Sequence, residues 1–269
     1  MQKIILITGS TDGIGLEAAK MFLSHGHKIL LHGRSPKKVD DTANSLTDLS
    51  EAGRIESYVA DLSCMDEVAA LAKAVAERNA HLDVLINNAG ILRAPETITQ
   101  DGLDVRFAVN TIAPYLLTQR LLPSLGPSGR IVNLSSAAQS PMNLKALAGD
   151  VPMADMEAYA QSKLALTMWS RHMSLSYNDN GPVIIAVNPG SLLATKMVKE
   201  GFGMAGKDVR IGGEILMRAA LSEEFESASG RYFDNDIGQF SSPHSDALNP
   251  QKTGDIVRTI NEILTRIIQ

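Results

Sequence analysis

The sequence has little of what several classes of protein require. Cys64 is the single cysteine among 269 residues, which excludes an internal disulfide and gives no sign of an oxidising compartment. The net charge is −5 and the lysines and arginines are scattered, which argues against a nucleic-acid partner. The first apolar run stops at Ile7, too early for a signal peptide or a membrane span. These absences predict a soluble, cytoplasmic protein.

Patterns for metal binding and for several domains are also missing. The six histidines show no ligand spacing with one another or with Cys64, so we predict no metal site. No internal repeat, low-complexity tract or linker divides the chain. Hydrophobic residues make up 44% and charged residues 20%, which is a globular composition. We therefore predict one domain that covers residues 1–269.

Short apolar runs rich in β-branched residues alternate with longer segments of helical period, which indicates βα units around a parallel sheet. The runs predict seven strands: Ile4–Ile7, Lys28–His32, Ile55–Ala60, Val84–Ile86, Arg130–Leu134, Val183–Val187 and Arg231–Phe233. The predicted helices are Ile14–His25, Met65–Glu77, Leu103–Leu122, Glu157–Asn178 and Gly212–Leu221. Right-handed crossovers place helices on both faces of the sheet. The pattern predicts a Rossmann-type, doubly wound α/β fold.

The C-terminal segment predicts one more helix, with Asn249 as N-cap and Pro250 at its first position. Apolar residues recur along one face as far as Ile268, so we interpret it as an amphipathic helix that packs on the body. An interfacial membrane helix is the alternative, which the acidic Asp255 and Glu262 on the polar face disfavour.

Two irregular stretches, residues 137–156 and 191–214, interrupt the βα pattern. Long loops in compact domains are usually lids or binding loops, so we expect both to flank the substrate. Their methionines suit an adaptable apolar wall, and ordinary core packing is an equal alternative.

A glycine-rich turn follows the first predicted strand and leads into the first helix. It is Thr-Gly-Ser-Thr-Asp-Gly-Ile-Gly over residues 8–15. Gly9 can make a tight turn, Gly13 lets the backbone approach a pyrophosphate, and Gly15 allows the helix to pack closely on the strand. The helix N-terminus then faces the phosphates. Because glycines at a strand exit are also ordinary turn residues, this turn alone leaves nucleotide binding open.

The turn resembles the cofactor signature of the short-chain dehydrogenase/reductase family, Thr-Gly-x-x-x-Gly-x-Gly. Four further motifs agree with the family in order and spacing: Asp61-Leu62, Asn87-Asn88-Ala89-Gly90, Tyr159-Ala160-Gln161-Ser162-Lys163 and Asn188-Pro189-Gly190. The long gap between Ser136 and Tyr159, and Gly-Arg-Tyr-Phe at residues 230–233, resemble the retinol dehydrogenase and WW-domain oxidoreductase branch. The resemblance implies an oxidoreductase that transfers hydride between a nicotinamide cofactor and an apolar carbonyl or alcohol.

The resemblance also implies a set of cofactor-binding residues. In the family, the Asp-Leu pair flanks the adenine, the Asn-Ala-Gly segment lines the adenosine side, and the Pro-Gly turn with a following threonine holds the carboxamide. Thr195 is that threonine, one position later than usual. The full set is Gly9, Thr11, Asp12, Gly13, Ile14, Gly15, Arg34, Asp61, Leu62, Asn88, Ala89, Gly90, Tyr159, Lys163, Pro189, Gly190 and Thr195.

The end of the second strand favours NADP(H) over NAD(H). An NAD site usually places an acid about 20 residues after the glycine turn, and His-Gly-Arg-Ser stands there at residues 32–35. The guanidinium of Arg34 suits a 2′-phosphate. A solvated surface arginine is the alternative. Asp12 stands where many NADP-preferring relatives have a basic residue, so the preference could be partial.

Four residues are the predicted catalytic group. Tyr159 and Lys163 are four apart on a predicted helix and hence adjacent, so we expect the ammonium to lower the pKa of the phenol. By resemblance, Tyr159 is the general acid and base, Lys163 also binds the nicotinamide ribose, and Ser136, preferred over Ser135, binds the substrate oxygen. Asn110 matches the family's asparagine that holds a water against the lysine. A polar residue at a helix irregularity is its alternative.

Other functions fit the motifs less well. A cofactor-sensing protein that has lost its chemistry typically lacks the tyrosine or the lysine, and both are present. Extended-family epimerases and dehydratases have a Gly-x-x-Gly-x-x-Gly turn and a longer C-terminal domain, and neither pattern appears in this sequence. The expected partner is a small carbonyl or alcohol. A homodimer or homotetramer through the long helices is possible by resemblance, although the long insertion could obstruct it.

Overall fold

The strands predicted from the apolar runs form a single sheet in the computed structural model. The structure describes residues 1–47, 54–177 and 180–268, and it describes Phe202 without its side chain. Over these residues the sheet has eight strands: β1 (Ile4–Ile7), β2 (Lys28–Gly33), β3 (Ile55–Val59), β4 (Val84–Asn87), β5 (Arg130–Leu134), β6 (Val183–Asn188), β7 (Tyr232–Asp234) and β8 (Gln239–Ser241). Each predicted strand is found within one or two residues of its expected bounds.

The strand order is β3-β2-β1-β4-β5-β6-β7-β8, with β1 to β7 parallel. The order reverses between β1 and β4, and in doubly wound sheets ligands bind at such a switch point. The predicted Rossmann-type fold is confirmed. The predicted strand count was too low, because β8 pairs antiparallel with β7 and has only three residues, too few for an apolar pattern.

Helices cover both faces of the sheet. They are α1 (Gly13–Ser24), α2 (Pro36–Leu46), α3 (Met65–Arg78), α4 (Val105–Phe107), α5 (Ala113–Leu125), α6 (Leu144–Leu147), α7 (Asp155–Ser176), α8 (Lys196–Phe202), α9 (Arg210–Leu221) and α10 (Pro250–Ile267). The sequence missed α2, although Ser35 caps it through its side chain and Pro36 is its first residue. The predicted end of the long helix at Asn178 lies outside the described residues.

The two faces bury separate apolar clusters because neighbouring strand residues point to opposite sides. Leu6 and Leu85 belong to the cluster beneath α3, α5, α7 and α10. Ile7 and Ile86 belong to the cluster beneath α1, α2 and α9. The carboxyl ends of the strands, where the predicted site residues lie, are held between these two cores.

The helix predicted over 103–122 is broken. A π-helix over Ala108–Ile112 separates α4 from α5 and contains Asn110. Side-chain periodicity does not distinguish one wide turn from an α-turn, so the sequence could not predict the break. The irregular stretches contain short helices too, α6 in residues 137–156, and α8 with the start of α9 in residues 191–214.

The C-terminal helix α10 packs its apolar face on the body of the protein. Ile256, Ile260 and Ile263 are buried in the same cluster as Trp169 of α7. The hydroxyl of Tyr115 in α5 donates to Oδ1 of Asn261, 3.1 Å away. Among the described residues, no helix combines the length and the hydropathy that crossing a membrane requires.

Candidate active site

The glycine turn lies between β1 and α1, with a backbone that few other residues could adopt. Gly9 and Gly13 have φ values of +64° and +55°. A Cβ atom added to Gly15 would lie 2.5 Å from Nδ2 of Asn88, so this glycine is required for close packing. Asp12 caps α1, and its carboxylate accepts a hydrogen bond from the N–H of Gly13 at 2.8 Å. The turn therefore exposes backbone at the N-terminus of α1.

His32 supports this turn, a role that was not predicted from the sequence. Its ring is 2% exposed; Nδ1 accepts from the N–H of Gly9 at 3.1 Å, and Nε2 lies 3.2 Å from the carbonyl oxygen of Ala60. These partners require a neutral ring protonated at Nε2. Burial lowers the pKa of His32 from 6.5 to about 4, in agreement with that form. No sequence motif marks this histidine.

The loop after β4 binds the other side of the turn. Nδ2 of Asn88 donates to the carbonyl oxygens of Thr8 and Gly9, at 2.8 and 3.1 Å. The backbone N–H groups of Asn88 and Ala89 both donate to the hydroxyl of Thr8. Two motifs that lie far apart in the sequence thus form one rigid support.

A cavity of about 410 Å³ opens along the carboxyl ends of the strands. Most predicted site residues line it: Gly9, Thr11, Asp12, Gly13, Ile14, Arg34, Asp61, Leu62, Asn88, Ala89, Gly90, Tyr159, Lys163, Pro189 and Thr195. The other predicted residues, Ser136, Asn110, Gly15 and Gly190, are not part of this lining. A larger and more open groove of about 750 Å³ between α7 and α10 contains no predicted site residue, and we assign the chemistry to the smaller cavity.

Cationic side chains lie at one end of the cavity. Arg34 and Lys38 line it, and neither forms an ion pair with any part of the chain that the structure describes. Lys37 is instead paired with Asp41 at 2.6 Å. Nearby, the carboxylate of Asp61 accepts hydrogen bonds from the N–H and the hydroxyl of Ser63. The next residue, Leu62, is buried in the apolar core.

Ser136, Tyr159 and Lys163 meet at the other end. The hydroxyl of Ser136 lies beside the phenol of Tyr159 as a hydrogen-bond partner that lowers the pKa of that phenol. The ammonium of Lys163 is 4% exposed, lies 5.9 Å from the centroid of the Tyr159 ring, and donates to the carbonyl oxygen of Leu134 at 2.7 Å. Ser135 also lines the cavity, but its hydroxyl contacts Lys163 O and Thr167 Oγ1. Of the two serines, Ser136 alone contacts the tyrosine.

The electrostatics of this group correct one expectation. The pKa of Tyr159 is raised, because burial disfavours the charged phenolate. The hydrogen bond with Ser136 acts in the opposite direction and offsets part of this rise. Lys163 was expected to lower that pKa, but its ammonium is directed at a backbone carbonyl rather than at the phenol oxygen. Burial also lowers the pKa of Lys163 to about 8. The tyrosine therefore depends on Ser136 for stabilisation of its anion.

Asn110 joins two elements behind the cavity. Its Oδ1 accepts from the N–H of Ile91 at 2.8 Å, and its Nδ2 donates to Ile91 O and Ser162 Oγ, each at 2.9 Å. Oδ1 of Asn110 and Nζ of Lys163 each lie 3.4 Å from the Cβ position of Gly90. The side chain is thus fully used in fixing the loop after β4 to α7, inside the π-helix.

The turn after β6 and helix α8 close the remaining side. The carbonyl of Pro189 accepts from Nδ2 of Asn235 at 3.0 Å, and Gly190 has a φ of +116°. Thr195 caps α8, and its methyl group lies 3.4 Å from the Cβ position of Gly13. Helix α8 also contacts the loop after β4, because a Cβ on Gly201 would lie 2.8 Å from Leu92. Thr195 was predicted from the sequence as a cofactor-binding residue, whereas the rest of α8 was not predicted to line the site.

These features fit a nicotinamide dinucleotide. The turn at Gly9 and Gly13 brings the backbone at the N-terminus of α1 to the cavity with no glycine side chain in the way, which suits a pyrophosphate. The cavity volume falls within the range of small-molecule sites, and its lining extends from Arg34 to Lys163. Within the described ranges, no group of acidic, histidine or cysteine side chains could hold a metal ion.

Comparison with known proteins agrees with this geometry. A family model described as short chain dehydrogenase matches residues 3–204. The chain is 31% identical over 251 residues to Short-chain dehydrogenase TIC 32 A, chloroplastic, of Brassica napus, covering 85% of this chain and 78% of that protein. It is 27% identical over 270 residues to mouse Retinol dehydrogenase 13, covering 91% and 79%.

A solved structure agrees as well. The crystal structure of a short-chain dehydrogenase from Burkholderia cenocepacia in complex with NADP superposes with a TM-score of 0.70 at 26% identity. The match covers 88% of this chain and 97% of that one. The chain therefore belongs to the short-chain dehydrogenase/reductase family of oxidoreductases and resembles its retinol dehydrogenase branch.

Proposed function

We propose that this enzyme is an NADP(H)-dependent carbonyl reductase or alcohol dehydrogenase that acts on an apolar substrate. One observation carries the proposal: the cavity is lined by Tyr159 and Lys163, with Ser136 beside the phenol, and also by Arg34 and Lys38, which have no ion-pair partner among the described residues. When bound, the nicotinamide supplies the hydride for reduction or accepts it in oxidation. The protein supplies the proton and the polar contacts.

The proton passes through Tyr159. In reduction its phenol donates to the oxygen that becomes the alcohol, and in oxidation the tyrosinate takes that proton back. Because Ser136 and Tyr159 already contact each other, one substrate oxygen can contact both hydroxyl groups. Ser136 then stabilises the developing negative charge, as a preorganised donor does in a site with little water.

Lys163 holds its proton near neutral pH, since its pKa of about 8 leaves it mostly charged at pH 7. Its ammonium lies within the cavity lining and can donate to the ribose hydroxyls that the family resemblance assigns to it. Asn110 keeps the loop after β4 against α7, so the lysine and Gly90 stay next to each other.

Arg34 and Lys38 support the preference for NADP(H). Two cations that line one cavity and have no carboxylate partner among the described residues suit a phosphate group better than a ribose hydroxyl. Asp12 stands where many NADP-preferring relatives have a basic residue, but its carboxylate accepts a hydrogen bond from the N–H of Gly13. The complex of the Burkholderia cenocepacia relative with NADP is consistent with this choice.

The side chains near the reacting end support an apolar substrate. Ile91, Leu92, Val109 and Met197 line the cavity beside Tyr159. Methionine adapts to irregular ligand shapes, and apolar lining with few polar groups is typical of sites for apolar small molecules.

A screen of carbonyl compounds tests the proposal. NADPH oxidation is followed at 340 nm with aldehydes, ketones and quinones of graded size and polarity, and cofactor binding is measured separately by fluorescence. We expect turnover that increases with the apolar area of the carbonyl compound and that is lost in Tyr159→Phe. Binding of NADPH without turnover of any compound would instead indicate a protein that only senses its cofactor.

A further inference from the structure

Tyr232 places its hydroxyl group behind the catalytic serine. It lies in β7, within the Gly-Arg-Tyr-Phe segment, and is 5% exposed. Its phenol donates a hydrogen bond to the backbone carbonyl oxygen of Ser136, 3.1 Å away. Nothing in the proposed reaction uses this tyrosine, although it is the buried hydroxyl next to the residue that contacts Tyr159.

Ser136 lies where β5 has ended, so no sheet hydrogen bond fixes its carbonyl. Two side chains replace that bond: the phenol of Tyr232 at 3.1 Å and Nε2 of Gln139 at 2.9 Å. The N–H of Ala138 donates to the serine Oγ at 3.1 Å. Because Oγ already accepts this bond, its own proton is free to be donated to the phenol oxygen of Tyr159.

The element that carries Tyr232 is itself firmly attached to the site. Beyond β7, Asn235 donates to the carbonyl of Pro189 at 3.0 Å, and Asp236 accepts from the N–H of Ser191 at 2.8 Å. Nδ2 of Asn188 donates to both Asp234 and Asp236. The hairpin of β7 and β8 thus links the turn after β6 to the carbonyl of Ser136.

We propose that Tyr232 is a positioning residue that holds Ser136 in the orientation from which its hydroxyl donates to Tyr159. The role rests on the proposed function of the Ser136 and Tyr159 pair, and it acts through the serine backbone rather than on the substrate. In this arrangement, removing the hydroxyl of Tyr232 weakens the hydrogen bond that Ser136 makes with Tyr159.

The charges around both phenols agree with this role. Burial and the carboxylates of Asp234 and Asp236 raise the pKa of Tyr232, so it stays protonated and remains a donor, with Gln139 as its other polar neighbour. Facing Tyr159 are Ser136 and the ammonium of Lys163, which is directed at a backbone carbonyl. The hydrogen bond from Ser136 is therefore the contact whose loss raises the pKa of Tyr159.

The test uses the cofactor-free full-length protein, so it does not depend on finding a substrate. The five tyrosines are labelled with ¹³C at Cζ, and the Tyr159 resonance is identified by its loss in Tyr159→Phe. Its position at pH 7.5 and its titration are then compared in wild type, Tyr232→Phe, Ser136→Ala and the double variant. Tyr58→Phe is the matched control, because Tyr58 is also a buried, hydrogen-bonded phenol, far from the site in β3.

We expect Tyr232→Phe to move the Tyr159 resonance in the same direction as Ser136→Ala and to raise its titration midpoint by up to about one pH unit. The double variant should match Ser136→Ala, since both changes remove the same contact. With a substrate from the screen, kcat should fall about two- to tenfold at unchanged NADPH affinity.

Two results would overturn the proposal. One is an unchanged Tyr159 resonance and titration in Tyr232→Phe, and the other is a double variant in which the two shifts add. If Tyr232→Phe lowers the thermal midpoint more than Tyr58→Phe does, the conservative change Tyr232→His, which keeps a ring and a donor, should restore the Tyr159 resonance. Failure of that rescue would also count against the proposal. If the enzyme turns over no compound in the carbonyl screen, the proposed function is refuted. The resonance and titration of Tyr159 would still test the role of Tyr232.

Discussion

The imidazole of His32 accepts a hydrogen bond from the backbone N–H of Gly9 and also contacts the carbonyl of Ala60. The bond from Gly9 requires the neutral ring, because Nδ1 must accept, and the pKa of this ring is about 4 in the folded protein and 6.5 ordinarily. Between these values the unfolded chain binds a proton that the folded chain does not, so stability falls as pH decreases from 6.5 to 4. We expect a loss of about 3 kcal/mol over that window, measured by urea unfolding.

Two variants separate this effect from the titration of other groups. His32→Gln should be less stable than wild type at pH 7 and should lose less stability on acidification, because it has no imidazole to protonate. His81→Gln, which changes an exposed ring, should keep the wild-type dependence. Equal slopes for wild type and His32→Gln would show that the ring does not stay neutral.

Tyr159→Phe removes the phenol that donates the proton and leaves the cavity lining in place. We expect turnover to fall at least about 100-fold, the usual contribution of general acid catalysis, while NADPH affinity changes little. Steady-state kinetics and fluorescence titration measure the two quantities. Tyr177→Phe, at the end of the same helix, is the control and should retain wild-type turnover. Substantial turnover by Tyr159→Phe would exclude this tyrosine as the acid.

Arg34→Ala and Lys38→Ala should each reduce the preference for NADPH over NADH, measured as the ratio of kcat/KM values. We expect a decrease of about tenfold or more for Arg34→Ala, the size of one charge-assisted hydrogen bond. Lys37 is a matched control because its ammonium is paired with Asp41, so Lys37→Ala should keep the wild-type ratio. Equal use of both cofactors by the wild type would contradict the assignment.

Ile260 of α10 is fully buried against α7, which carries the catalytic residues. Ile260→Ala removes buried methyl groups and leaves a cavity, so the free energy of unfolding should fall by about 2–5 kcal/mol. Ile237 is 56% exposed in the turn between β7 and β8, and Ile237→Ala should change stability by less than about 0.5 kcal/mol. Similar losses in the two variants would mean that α10 does not pack as described.

The sequence was informative wherever one residue type determines a local conformation. Apolar runs predicted seven of the strands, and the glycines predicted the turn after β1, whereas the hydrogen bonds between Thr8 and Asn88 were not predicted. Contacts that depend on register across the sheet were not predictable. Tyr232 meets Ser136 across 96 residues because β7 lies beside β6, and no local pattern encodes that neighbourhood. His32 was missed for a related reason, since its role appears once β1, β2 and β3 are aligned.

The direction of a pKa was also beyond the sequence. Spacing correctly places Tyr159 and Lys163 on one helix face, but the net effect on the phenol depends on where the ammonium points and how deeply both are buried. The direction of the ammonium depends on the carbonyl of Leu134, a strand residue that no helical pattern includes.

The π-helix at Ala108–Ile112 has a consequence for insertions and deletions in this chain. A π-turn contains one residue more than an α-turn, so deleting one residue there would yield a continuous α-helix. Because the wide turn takes up its extra residue within one turn, the deletion would keep the two flanks on their present faces and would change the backbone at the turn that contains Asn110. Asn110 could then no longer reach both Ile91 and Ser162. A deletion within these five residues would therefore separate the loop after β4 from α7, the helix that carries Tyr159 and Lys163.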